Sequence, residues 1–283
     1  MSSDVRIVPA VGVALEGLQP LAEAIFGGGP RPAGWFARKL AREAVDPARS
    51  ALALGPGDVP VGYMLVGREP GERVAHSAGL GVVAGWRGRG VGAALALAVL
   101  EPLRRAGAEH LRLLAEPPRR GFYERLGFQT LAQRHTLRAF GSGAADLDLR
   151  DHPPGAWALP GRCIAGWRAD TWARTPSDEA ATLTLLAGDA HVHLSREGRT
   201  ILVQRMCVAD ADVPEVLHAT VHAALAELRG RLHRDTAVLL YGCDVVSCIT
   251  ASLMRAKWRV AQTACEMERA LGEGVDKRDA SAA

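Results

Sequence analysis

The chain has 283 residues, 48% of them hydrophobic, with 34 Lys and Arg against 31 Asp and Glu for a net charge of +3, which leaves room for one large domain or two of ordinary size. The basic residues are spread rather than clustered, which argues against a nucleic-acid footprint. Its cysteines, Cys163, Cys207, Cys243, Cys248 and Cys265, are odd in number and include no Cys-x-x-Cys pair, which argues against a disulfide framework or a zinc site and makes buried thiols the expectation.

In chain order, alternation predicts a strand over Val5–Val8, and helical spacing predicts a helix over Leu15–Phe26 that stops at Gly27-Gly28-Gly29-Pro30. A second helix is expected over Gly34–Val45, ended by Asp46-Pro47. Ala51–Leu54 and Val61–Val66 read as strands around the turn Gly55-Pro56-Gly57-Asp58, and Arg73–Val83 as a long strand. That strand runs into Arg87-Gly88-Arg89-Gly90-Val91-Gly92, an Arg-x-x-Gly-x-Gly turn that opens into an apolar helix from Val91 to Leu100 and on to Arg105. Pro102 is expected to kink or shorten it. His110–Ala115 reads as a strand parallel to the previous one, Arg119–Leu126 as a short helix closed by Gly127, and Gln129–Gln133 with Thr136–Phe140 as a final pair of strands. Residues 1–13 lack a long apolar core, and the longest apolar run, Val91 to Leu100, is about half the length of a membrane span. A soluble, cytoplasmic protein with no membrane partner is the expectation.

The turn has the makings of a phosphate site. Gly88, Gly90 and Gly92 let the backbone bend sharply and bring N–H groups against an anion. The first turn of the following helix adds unpaired donors and the positive end of its dipole. Arg87 and Arg89 add charge. Alone the motif is weak; its strand–turn–helix setting gives it meaning.

The order β-α-α-β-β-β-α-β-α-β-β, that turn, and above all Gly121-Phe122-Tyr123-Glu124-Arg125-Leu126-Gly127-Phe128 resemble the GNAT superfamily of acyl-CoA-dependent N-acetyltransferases over residues 4–140. The resemblance implies an α/β fold with a mixed sheet flanked by helices, acetyl-CoA or another acyl-CoA as co-substrate, no metal, and a small-molecule amine as acceptor. Residues 1–141 are then the expected catalytic domain and 142–160 a linker.

The remainder, 161–283, is a weaker echo. Ala181–Leu186, Ala190–Leu194 and Thr200–Val208 read as strands, Pro214–Leu232 as a helix, Ala237–Tyr241 as a strand, Val245–Trp258 as a helix and Val260–Met267 as a strand. The turn after Val208, Ala209-Asp210-Ala211-Asp212, has no glycine and two carboxylates, which repel phosphate. The expected architecture is two tandem GNAT-like domains, each a mixed sheet flanked by helices, the second degenerate and without the cofactor turn. An unrelated α/β domain stays open as the alternative.

An alkylammonium with a pKa of roughly 10 must lose a proton before it attacks a thioester, and the departing thiolate must gain one. Tyr123 occupies the tyrosine of the family box, and the resemblance implies a general acid. His76 stands where several members carry a glutamate base, and His135 is a spare. Glu116 stands where members often have an asparagine on the cofactor arm; a carboxylate there can hold a cationic acceptor or act as base. The resemblance further implies that backbone at Val82 and Val83, with Arg87, Gly88, Arg89, Gly90, Val91 and Gly92, holds the cofactor. Gly79 and Gly81 suit a bulge or a close backbone approach. His191 and His193 share a strand face without a third ligand in view, a solvated or half-buried pair rather than a metal site. Two other readings remain: a transferase taking its acyl group from an acyl carrier protein or aminoacyl-tRNA, and a non-catalytic acyl-CoA-binding protein. Oligomeric state is not legible.

Overall fold

The computed structural model describes residues 5–27, 31, 33–154, 162–165, 169–176, 178–208, 214–245 and 247–272. The first half of the chain forms β1 (Arg6–Pro9), α1 (Gln19–Phe26), α2 (Trp35–Arg42), β2 (Ala51–Leu54), β3 (Pro60–Gly67), β4 (Val74–Val82), α3 (Val91–Ala98), α4 (Leu100–Arg105), β5 (His110–Ala115), α5 (Arg120–Arg125) and β6 (Gln129–Phe140). The second forms β7 (Arg162–Ala165), β8 (Ala180–Leu185), β9 (Ala190–Glu197), β10 (Thr200–Val208), α6 (Pro214–Gly230), β11 (Ala237–Asp244), α7 (Cys248–Arg255) and β12 (Arg259–Ala270). Two compact units result, residues 1–131 with 265–283, and residues 132–264.

In the first unit the strand order is β1-β2-β3-β4-β5-β12. β4 and β5 are parallel, and the other neighbours are antiparallel. Both sheet faces are covered, so β3 is buried almost end to end. Its alternate residues serve two cores. Met64 and Val66 join Leu95, Val99 and Leu103 of the α3–α4 side, while Tyr63 and Leu65 join Phe36 and Leu40 of α2. Pro102 lacks the N–H that would bond back to Ala98, and the crossover helix accordingly breaks into α3 and α4 at Val99.

The second unit repeats the theme in the order β6-β11-β10-β9-β8, with β10 and β11 parallel over Thr200–Val203 and Ala237–Leu240. Val221, Leu225 and Leu228 of α6 pack on Leu183, Val192 and Val203. Residues 142–154, expected as linker, pack into this unit. Leu149 is buried in its core, and Asp146 accepts hydrogen bonds from Thr236 Oγ1 and the His233 amide. Residues 155–161 lie outside those described, as does the acidic turn 209–213.

Three expectations differ from the structure. Gln129–Phe140 is one strand, not two. Its residues Arg134–Phe140 pair with β11 in the second unit, whereas Cys265–Ala270 of β12 pair with β5 in the first. Each sheet is thus completed by a strand from the other half of the sequence. Thirdly, Cys207 is disulfide-bonded, and its partner in the β7–β10 register is Cys163; that antiparallel pairing brings distant cysteines opposite each other. Among the described residues Cys243, Cys248 and Cys265 are free thiols, and no helix is long and apolar enough to cross a membrane.

Candidate functional site

β4 and β5 run side by side only over Val74–His76 and His110–Arg112, after which β4 stays with β3 and β5 with β12. The edge of β4 beyond His76 is therefore turned toward a split. The Val83 amide bonds the Val61 carbonyl at 2.9 Å, so by antiparallel alternation the backbone groups of Leu80 and Val82 point away from β3, into that split. Arg87 Nε donates to the Val82 carbonyl at 2.8 Å and its Nη2 to the Ile25 carbonyl at 3.2 Å. Arg87 thus ties the turn to β4 and to the end of α1, a positioning role that the motif alone did not disclose. The Val82 amide remains directed into the split, whereas the amides of Val83 and Arg87 are committed within the protein.

Gly88 and Gly90 adopt φ of 75° and 78°, with open space where a side chain would stand, and Gly90 caps α3. The first amides of that helix have no intrahelical acceptor. The donor set and the open cradle fit a pyrophosphate. Arg89 stacks on Trp86, its guanidinium carbon 4.9 Å from the ring centroid, and remains exposed beside the turn.

The helix of the family box comes to the same mouth. A Cβ on Gly92 would lie 3.6 Å from the Phe122 ring and 3.9 Å from Val82 Cγ2, so α5, α3 and the end of β4 converge on one point. Tyr123 is half-buried with its ring edge-on to Phe122 and Phe128. Burial pushes its phenol up to about 12; Arg119 opposes that shift and Glu116 adds to it. The phenol is consequently a donor at any physiological pH, and Glu116 lies within reach of its charge. Arg269 of β12 donates to the Leu126 carbonyl at the end of α5 and is itself buried. Nothing in the local sequence around the box points to that residue.

Residues 16–128 match the acetyltransferase (GNAT) family. They are a GNAT domain. The whole chain has the fold of tandem GNAT proteins. It is similar to a protein of Pyrococcus horikoshii (18% identity, TM-score 0.64, 95% of this chain and 90% of that one). It is also similar to a GCN5-related N-acetyltransferase from Sphaerobacter thermophilus (13%, 0.61, 96% and 97%), and to a tandem GNAT protein from the clavulanic acid biosynthesis pathway (16%, 0.58, 96% and 100%). A search of curated proteins returns no match.

Within the GNAT domain Gly81 admits the end of α1, since a Cβ there would stand 2.1 Å from Ile25 Cγ2. The register shift opposite Leu65 and Val66, next to Gly79 with φ of 144°, is a bulge. His76 pairs with Gly67 and Arg112, on the sheet face that carries α1 and α2. It is six residues, or about 20 Å of strand, from Val82, so the structure does not bring it to the turn. His135 lies in the second unit, its Nδ1 3.0 Å from Thr263 Oγ1.

His191 and His193 lie on β9 opposite Cys207 and Arg205. Among the described residues no group of three or more His, Cys, Asp or Glu could hold a metal ion. Burial first, then Arg205 and His191, lowers the His193 pKa from 6.5 to about 4. The folded state therefore holds this imidazole neutral, and stability is lost as pH falls from 6.5 toward 4 because the unfolded chain takes the proton first. His222 on α6 is held down in the same direction, mainly by burial. Urea unfolding across that window should show a declining midpoint, and His193→Gln should flatten most of the decline.

Proposed function

We propose that the first unit is an N-acyltransferase that moves an acetyl or other short acyl group from acyl-CoA to the amine of a small metabolite. What supports this reading is the convergence of a positive-φ glycine turn, the end of β4 and the helix that carries Phe122 and Tyr123, together with a Tyr123 phenol that burial keeps protonated. Acyl-CoA supplies the activated thioester. The amides of Gly88 to Gly92 hold its pyrophosphate, with Arg89 alongside. The Val82 amide, aimed into the split, donates to the thioester carbonyl and to the oxygen that gains charge when the amine attacks. Tyr123 gives its proton to the departing sulfur. Glu116, whose charge reaches Tyr123, holds the ammonium or takes its proton; His76, being remote, acts only through water. An amine attacks directly, so no acyl-enzyme forms.

Acetyl-CoA should raise the melting temperature of the intact chain, and free thiol should appear on addition of the right amine from a panel. Gly90→Asp, which puts a side chain at positive φ and a negative charge in the cradle, should abolish the thermal shift while leaving the unliganded melting temperature within a few degrees. Stabilisation by a charged acyl carrier protein or aminoacyl-tRNA alone would replace the free donor with a carrier. Equal stabilisation of wild type and Gly90→Asp by acetyl-CoA would remove the turn from the site.

A further inference from the structure

β10 and β11 of the second unit part after Val203 and Leu240, as β4 and β5 part in the first. Here, however, the edge is taken. β9 pairs with Arg205–Val208 on one side, and β7 pairs antiparallel with the same residues on the side that β11 has left. Backbone that faces a split in the first unit is bonded to protein in the second, so an extended pantetheine arm has no strand edge to follow.

What the parting leaves is a cavity of about 250 Å³. Val203 and Met206 of β10, Val221 and Leu225 of α6 and Leu253 of α7 form its walls. Polar groups gather where β11 ends: Arg134 and Asp244, which are register partners, and Ser247, the cap of α7. Thr250, only 2% exposed, belongs to the same wall. Cys243, also on it, has its thiol pushed up to about 11 by burial and stays neutral.

We infer that this cavity is a binding site for a small organic molecule with an apolar body and one polar end. An apolar cavity of about 150 Å³ takes benzene, so the larger volume here suits a body of roughly eight to ten carbons, such as an octanoyl chain or an indole. The body lies against α6, α7 and β10, and the polar end meets Arg134, Asp244 and Ser247. The inference does not rest on acyl transfer by the first unit, because it concerns a different unit and is read by binding.

The test uses the full chain with octanoate, 1-octanol and indole as probes, followed by isothermal titration and by the shift in melting temperature. At least one probe should bind and raise the melting temperature. Leu225→Trp, which fills the cavity, should weaken that binding at least tenfold, and Val221→Phe should do the same should the first variant fold poorly. Binding of octanoate without any response to acetyl-CoA would uphold this site while refuting the proposed reaction. No binding of any of the three probes, or affinity unchanged in folded Leu225→Trp and Val221→Phe, would overturn the inference.

Discussion

Tyr123→Phe is expected to lower kcat by about 10²- to 10³-fold while acetyl-CoA affinity changes less than threefold. The variant keeps the ring that packs edge-on between Phe122 and Phe128 and deletes only the hydroxyl. Loss of turnover with binding kept is therefore the signature of a proton donor, whereas a packing role would leave both intact. Because burial holds the phenol up to about 12, it stays protonated well past neutrality. Any alkaline fall in rate below pH 10 must come from another group. Thiol release and calorimetric titration on the two proteins decide the matter, and an unchanged rate takes Tyr123 out of the chemistry.

Removing the last strand is expected to unfold the first unit although its family box and turn are untouched. A chain ending at residue 258 loses Cys265, Met267 and Leu271, all buried against Leu111, Leu113 and Phe128. At about 1.5 to 3 kcal/mol for each buried apolar side chain, the loss is on the order of the whole stability of an ordinary domain. It also uncovers the edge of β5 and releases the Arg269 bond that ends α5. The truncated chain should lose the melting transition of the first unit and any response to acetyl-CoA. Appending residues 259–272 through a flexible linker to a fragment ending at residue 131 should restore both. A fragment 1–141 that melts cooperatively and responds to acetyl-CoA would refute the assignment of β12 to this sheet.

Much of this architecture is legible locally. The alternation in Val61–Val66, the helix opening at Val91 and the box at Phe122 each fix an element from adjacent residues, and Gly81 announces a close approach that Ile25 fulfils. What hides is choice of partner. Gln129–Phe140 and Arg259–Ala270 both carry a strand pattern, and pattern sets which face is buried but not which neighbour is paired. The same limit hid β7, Arg269 and the disulfide of Cys207, each defined by pairing across a long stretch of chain. Arg87 shows another limit: its charge reads as a phosphate ligand, and its bonds to two carbonyls, far apart in the chain, are not legible beside that.

The short strand β7 has one more implication. By lying along β10 it converts the second of two like clefts into an interior, so duplication of the architecture does not double the number of donor ports. A chain built from two similar halves should then saturate at a single equivalent of acyl donor, its other half contributing mass and a separate chamber instead of a second turnover.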